Sequence, residues 1–66
     1  MKNTVKVERA KKNVTQAELA EAIGVSRQTI NAMEAGKYIP STLLALRIAR
    51  YFGTNVEQIF SLEEGE

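Results

Sequence analysis

Arg27, Gln28, Asn31 and Ala32 stand at relative spacings 0, 1, 4 and 5. A helix through them turns all four to one side. An arginine there can make a bidentate contact to O6 and N7 of guanine, and a glutamine or asparagine to N6 and N7 of adenine. Ala32 has no side-chain hydrogen bond to offer and at best touches a thymine methyl group. Arg27 has a second role open to it, nearly as well supported, as a partner for phosphate. The duller account of all four is a solvated polar face.

Such a face reads anything only if the residues behind it hold it still. Thr15 followed three residues later by Glu18 forms a capping box, so a helix begins at Gln16. Ala17, Leu19, Ala20 and Ile23 give that helix an apolar side, while Glu18 and Glu21 remain for solvent. Gly24 marks its end, because glycine enters the left-handed region without steric cost. Val25 is apolar inside the turn and is expected to point back into the core. Ser26 is the N-cap of the next helix, whose buried face is Ile30 and Met33 with Glu34 beside them. Two helices joined by about three residues through a glycine-containing turn make a helix-turn-helix, here over 16–35.

Three further helices are expected around this pair. The first runs from about Thr4 to Lys12 and buries Val5 and Arg9, helped by Val7 and Val14. Gly36 closes the third helix, Pro40 interrupts the following loop, and Ser41 caps a fourth helix ending at Gly53. That helix carries apolar residues at Ala45, Ile48, Ala49 and Phe52. Asn55 caps a short fifth helix ending near Phe60, with Val56, Ile59 and Phe60 packing inward. The tail, 61–66, is expected to fray beyond Leu62.

Sixty-six residues with 44% apolar content support a single domain, 1–66, with one small core. A chain this short buries only about 60% of its unfolded surface. There is no Cys, no His and no Asp. A hydrolytic triad, a thiolate or histidine metal site and a disulfide are therefore out of reach, and neither an enzyme nor a cofactor or metal is expected. No apolar run approaches the roughly 20 residues that span a bilayer, and the N-terminus lacks the apolar core of a signal peptide. The expectation is a soluble cytoplasmic protein without a membrane or small-molecule partner. Net charge is only +1, but residues 1–52 hold all nine Lys and Arg against four Glu, whereas 53–66 hold four Glu and no base. A +5 body with a −4 tail suits a surface that faces phosphates while the tail points away, although scattered solvated charges would produce the same count.

The run TQAELAEAIGVSRQTINAMEAGK, Thr15 to Lys37, resembles the helix-turn-helix of the lambda-repressor/Cro type, the Xre family. The resemblance rests on T-Q-x-E-L-A, G-V-S, RQTI and M-E-x-G-K in this order and spacing, and the flanking pattern continues over most of the chain. It implies an all-α, compact five-helix lambda-repressor-like domain. Some compact relatives add a short strand pair, which here would join Lys2–Thr4 to Ser61–Glu63. It also implies roles for individual residues. Arg27, Gln28 and Asn31 match base-reading positions. Gln16 matches a glutamine that hydrogen-bonds a DNA phosphate at a helix N-terminus. Thr29, Lys37, Tyr38 and Asn13 are the further candidates for gripping the sugar-phosphate chain, with Tyr38 equally suited to half-buried packing. Arg9 and Glu34 match an ion pair that serves the fold.

Two positions depart from the family pattern. Glu8 stands where many relatives are apolar, so Val7 is expected to take over that packing. Leu43 occupies a usually polar position and, with Tyr51, Val56, Phe60 and Leu62, suggests an exposed apolar patch. Small members of this family commonly dimerise through their C-terminal helices. Tyr51, Val56, Phe60 and Leu62 are accordingly expected at a homodimer interface, the alternative being that they complete one monomer's core. The function expected is sequence-specific binding of double-stranded DNA by a homodimeric transcriptional regulator, a repressor on a palindromic operator. The competing reading is a protein-interaction module of the same fold, an antitoxin or co-regulator. The polar, arginine-bearing outer face of the third helix argues against that as its sole role.

Overall fold

Four of the five helices begin where a side chain caps them. In a computed structural model describing all 66 residues, the order is β1 (Lys2–Asn3), α1 (Val5–Lys12), α2 (Gln16–Ile23), α3 (Arg27–Glu34), α4 (Thr42–Phe52), α5 (Val56–Ile59) and β2 (Phe60–Ser61). The capping box at α2 is complete, with Thr15 accepting from Glu18 N–H and Glu18 accepting from Thr15 N–H, both at 3.0 Å. Ser26, Ser41 and Asn55 cap α3, α4 and α5 through the same local geometry. Each of these satisfies an N–H that the helix itself leaves unpaired.

The start of α1 is held differently. Thr4 makes no side-chain cap. Asn3 Oδ1 instead accepts from Val5 N–H at 3.1 Å, while Thr4 N–H donates to Ile59 O at 2.9 Å. Asn3 Nδ2 also donates to Met33 O at 2.9 Å, tying the strand to the end of α3. The terminal strands pair antiparallel in the register Lys2↔Ser61 and Asn3↔Phe60. The pairing is shorter than expected and displaced from Ser61–Glu63. Thr4 turns into α1, and the burial of Phe60 fixes where β2 begins.

Twelve apolar residues form the core, contributed by every helix: Val5, Leu19, Ala20, Ile23, Ile30, Met33, Leu44, Ala45, Ile48, Ala49, Ile59 and Phe60. Val25, Tyr51, Phe52 and Val56 pack against it from the edge. Several expectations require correction. Val7 is 52% exposed and does not replace Glu8 in packing. It lies about 200° around the helix from Val5, whereas Arg9 returns to Val5's side. Ala17 faces solvent for a similar reason, and Leu44 joins the core in addition to the apolar residues expected on α4. The tail is also not simply frayed, since the Met1 amine lies 2.9 Å from Glu66 and 3.6 Å from Glu63.

Between α2 and α3, Gly24 takes φ +81°, and the N–H groups of Gly24 and Val25 both reach Ala20 O. Gly36, at φ +77°, ends α3 with the paired bonds Gly36 N–H to Met33 O and Lys37 N–H to Ala32 O. This is the Schellman arrangement, which turns the chain sharply away after the last helical residue.

Candidate nucleic-acid interface

The two sides of α3 divide cleanly. Ile30 and Met33, at 0% and 1% exposure, bury one side. Arg27, Gln28 and Asn31 are exposed on the other, and Thr29 and Ala32 are half-buried at its margin. At the helical advance of about 100° per residue, Arg27, Asn31 and Gln28 fall within an arc of about 100°. Ser26 and Thr29 fix the start of the helix. Thr29 N–H donates to Ser26 Oγ at 3.1 Å and the two hydroxyls lie 2.9 Å apart. The Thr29 hydroxyl thus already has a partner within the cap, although its oxygen retains capacity for another.

Beneath one edge of this face lies a partly buried ion pair. Arg9 Nε donates to Glu34 Oε2 at 2.6 Å and Nη2 to Oε1 at 3.0 Å, a bidentate geometry. Arg9 Nη1 donates to Val14 O at 3.1 Å, so one guanidinium joins α1, the α1–α2 turn and α3. Burial by itself would raise the Glu34 carboxyl. Hydrogen bonds from Arg9 and Gln16, and the positive charges of Arg9 and Lys6, outweigh it and hold Glu34 below its ordinary value. The hydrogen bond to Glu34 in turn raises Arg9, against its own desolvation.

Gln16 belongs to the same network. Its Nε2 donates to Glu34 Oε1 at 3.0 Å and to Asn31 Oδ1 at 3.3 Å. Both amide hydrogens therefore have protein partners, the one to Glu34 partly buried and the one to Asn31 at the exposed surface. An oxygen acceptor does not bind phosphate, so a phosphate contact at this residue falls to the backbone N–H of the α2 N-terminus or requires an internal bond to break. Lys6, Arg9, Gln16, Asn31, Glu34 and Ala35 line one open recess beside the outer face of α3. Lys6 was not among the residues singled out from the sequence. The available signal was its spacing: Lys6 lies one turn before Arg9, so any packing that carries Arg9 to Glu34 brings Lys6 alongside.

The other candidates lie at the ends of helices. Lys37 is exposed immediately after the turn that closes α3, and Tyr38 is 41% exposed beside it. Asn13 is exposed at the C-terminus of α1 with φ +58°. The four residues expected at a dimer interface do not share a face. Phe60 is 6% exposed and belongs to the core, while Leu62 is 71% exposed. Val56 and Phe60 line an apolar groove with Met1, Ile39, Pro40, Ala45 and Leu46. Tyr51 lies on the opposite flank of α4, near Ala22, Ile23, Arg47 and Arg50, with Lys12 Nζ 5.0 Å from its ring centre.

Known proteins share this arrangement. The sequence profile of the helix-turn-helix family matches residues 5–59. Over all 66 residues the chain is 54% identical to an uncharacterized HTH-type transcriptional regulator of Methanocaldococcus jannaschii, covering the full length of both. It is 50% identical over 64 residues to YgzD, an uncharacterized HTH-type transcriptional regulator of Bacillus subtilis, covering 97% of each. Among solved structures, the SOS-response transcriptional repressor LexA of Eubacterium rectale superposes with a TM-score of 0.80 at 32% identity, over 94% of this chain and 66% of that one. With five helices in the lambda-repressor arrangement and the matched profile running from α1 to the end of α5, this chain belongs to the helix-turn-helix family of the Xre type.

Proposed function

We propose that the protein is a sequence-specific DNA-binding repressor, acting as a homodimer on a palindromic operator with α3 in the major groove. The observation that carries this reading is the outer face of α3. Arg27 and Gln28 are exposed there without internal hydrogen bonds, on a helix whose inner face is fully buried. Arg27 and Gln28 supply base contacts together with Asn31, and Ala32 offers a methyl surface to thymine. Lys37, Tyr38, Thr29, Asn13 and the N-terminus of α2 at Gln16 contact phosphates. The role is binding rather than catalysis, exercised in the cytoplasm beside the DNA. No helix is long and apolar enough to cross a membrane.

Binding assays with two single variants separate the two kinds of contact. Gln28→Ala is expected to cost about 1–3 kcal/mol and to relax preference at one base pair. Lys37→Ala is expected to weaken all sequences alike and to reduce the slope of log affinity against log salt by about 1. A loss at Lys37 confined to one sequence would contradict its role, and wild-type binding that ignores sequence altogether would overturn the repressor reading.

The partner in the dimer is a second copy, seated on the groove between the α3–α4 loop and α5. Ile39 and Leu46 line it with 66% and 55% exposure, and Leu43, one helical turn before Leu46, is 60% exposed. A two-fold interface needs one self-complementary surface, and this one carries both protruding side chains and a groove floored by Ala45, Val56 and Phe60. Since Lys37 and Ile39 are separated by one residue, pairing there keeps the phosphate-gripping loops of both copies adjacent. Two recognition helices roughly 34 Å apart would then meet successive turns of the groove. In sedimentation at micromolar concentration, Ile39→Glu with Leu46→Glu should give a monomer with an unchanged melting temperature. A dimer that survives both substitutions would put the interface elsewhere.

A further inference from the structure

Lys6 and Arg9 stand three residues apart on α1 and line the same recess, but only Arg9 is bonded within the protein. It gives three hydrogen bonds, two to Glu34 and one to Val14 O. Lys6 is exposed and belongs to none of the ion pairs, which join Met1 to Glu63 and Glu66, Arg9 to Glu34 and Lys11 to Glu8. Its ammonium acts on Glu34 only through space, as one of the positive charges that lower the carboxyl. Two cations and one carboxylate leave the recess with a net positive charge, and Lys6 is the group free to carry it outward.

The recess has a fixed place relative to the outer face of α3. Asn31 is exposed on that face and is itself part of the recess wall. A side chain that reaches base edges in the major groove is flanked by sugar-phosphate backbone, because the groove is only about 12 Å wide. Lys6 stands on the α1 side of Asn31, across the recess. We propose that Lys6 binds DNA directly, its ammonium pairing with a backbone phosphate at the mouth of this recess. The inference rests on the DNA-binding function proposed above and adds a contact from α1 to it. Arg9 is less suited to that phosphate, since three of its five N–H donors are used and its side chain is 14% exposed. Lysine carries its charge on a flexible four-carbon stem, which reaches a phosphate without a fixed donor geometry.

Fluorescence anisotropy over a salt series tests the contact on two probes. One duplex carries the motif enriched from random DNA and the other an unrelated sequence. One phosphate neutralised contributes a slope of about 0.9 in log affinity against log salt. Lys6→Gln should flatten the slope by that amount on both probes and lower affinity about eightfold at 0.1 M salt, with the melting temperature unchanged. Lys6→Arg should restore the slope. Lys11→Gln removes the same charge from α1 outside the recess and should keep the wild-type slope. So should Arg9→Met with Glu34→Leu, which removes one charge of each sign and leaves Lys6 in place. A wild-type slope in Lys6→Gln overturns the proposal, and a lowered melting temperature beside it would assign Lys6 to Glu34 alone. Equal flattening by Lys11→Gln overturns it too, in favour of a diffuse field over α1. Wild type that binds neither duplex removes the DNA-binding function itself, and this contact with it.

Discussion

Replacing Glu34 by alanine is expected to destabilise the fold by about 3–5 kcal/mol, because it leaves Arg9 charged in a site built to neutralise it. The side chains of Arg9 and Glu34 are 14% and 7% exposed, so water replaces little of what is removed. Gln16 loses its acceptor in the same step. A domain of this length holds only about 3–10 kcal/mol in total, so much of the variant should be unfolded near room temperature. DNA binding falls through loss of folded protein. A variant that keeps its melting temperature but loses binding would make Glu34 a DNA-contacting residue instead. Combining Arg9→Met with Glu34→Leu should recover most of the stability, since apolar groups of similar volume need no partner.

The same pair sets an acid limit. The folded carboxyl of Glu34 lies below its ordinary value of 4.5, where the unfolded chain titrates. Its contribution is therefore complete above that value and disappears as pH falls through the folded one. Arg9 remains protonated throughout and adds no transition of its own in this range. Wild-type stability should fall as pH drops below the ordinary carboxylate value, and the Arg9→Met/Glu34→Leu variant should show a shallower decline. Equal slopes for the two would place the acid sensitivity at other carboxylates.

Ile30→Ala is the second large effect expected, about 2–5 kcal/mol in urea unfolding with the slope unchanged. Ile30 is fully buried between α3 and the core, and truncation leaves a cavity directly behind the outer face of α3. Unlike Gln28→Ala, it removes no group that could touch DNA. Binding measured well below its denaturation midpoint should retain the wild-type sequence preference with reduced affinity. Full stability after this truncation would mean that the packing of α3 does not depend on Ile30.

How far the fold was legible in the sequence depended on how local its causes are. Thr15, Ser26, Ser41 and Asn55 each bond to a backbone group three residues on, so their helices could be placed from spacing alone. Gly24 and Gly36 mark turns for an equally local reason. The beginning of α1 was different, since it depends on Asn3 and on a bond to Ile59, far along the chain. A packing role for Val7 follows from sequence only because Glu8, its neighbour, departs from the family pattern. Its angle on the helix from Val5 decides against that, and which side of α1 faces inward is settled by the rest of the fold.

The candidate site divides in the same way. The residue types on α3 and their spacing determined that Arg27, Gln28 and Asn31 share an outward face, because helical periodicity is a property of the segment. Sequence also determined that the chain belongs among helix-turn-helix proteins, because that motif is a run of local caps, turns and apolar spacings. The packing of the helices, by contrast, sets Gln16 against Glu34 and Asn31, brings Lys6 to the same recess and puts Phe60 in the core. These depend on the approach of α1, α2 and α3 and on the return of the C-terminus to β1. A hydrogen bond between residues 15 positions apart has no signature in either residue's neighbours; it exists because the packed helices bring donor and acceptor within 3.3 Å.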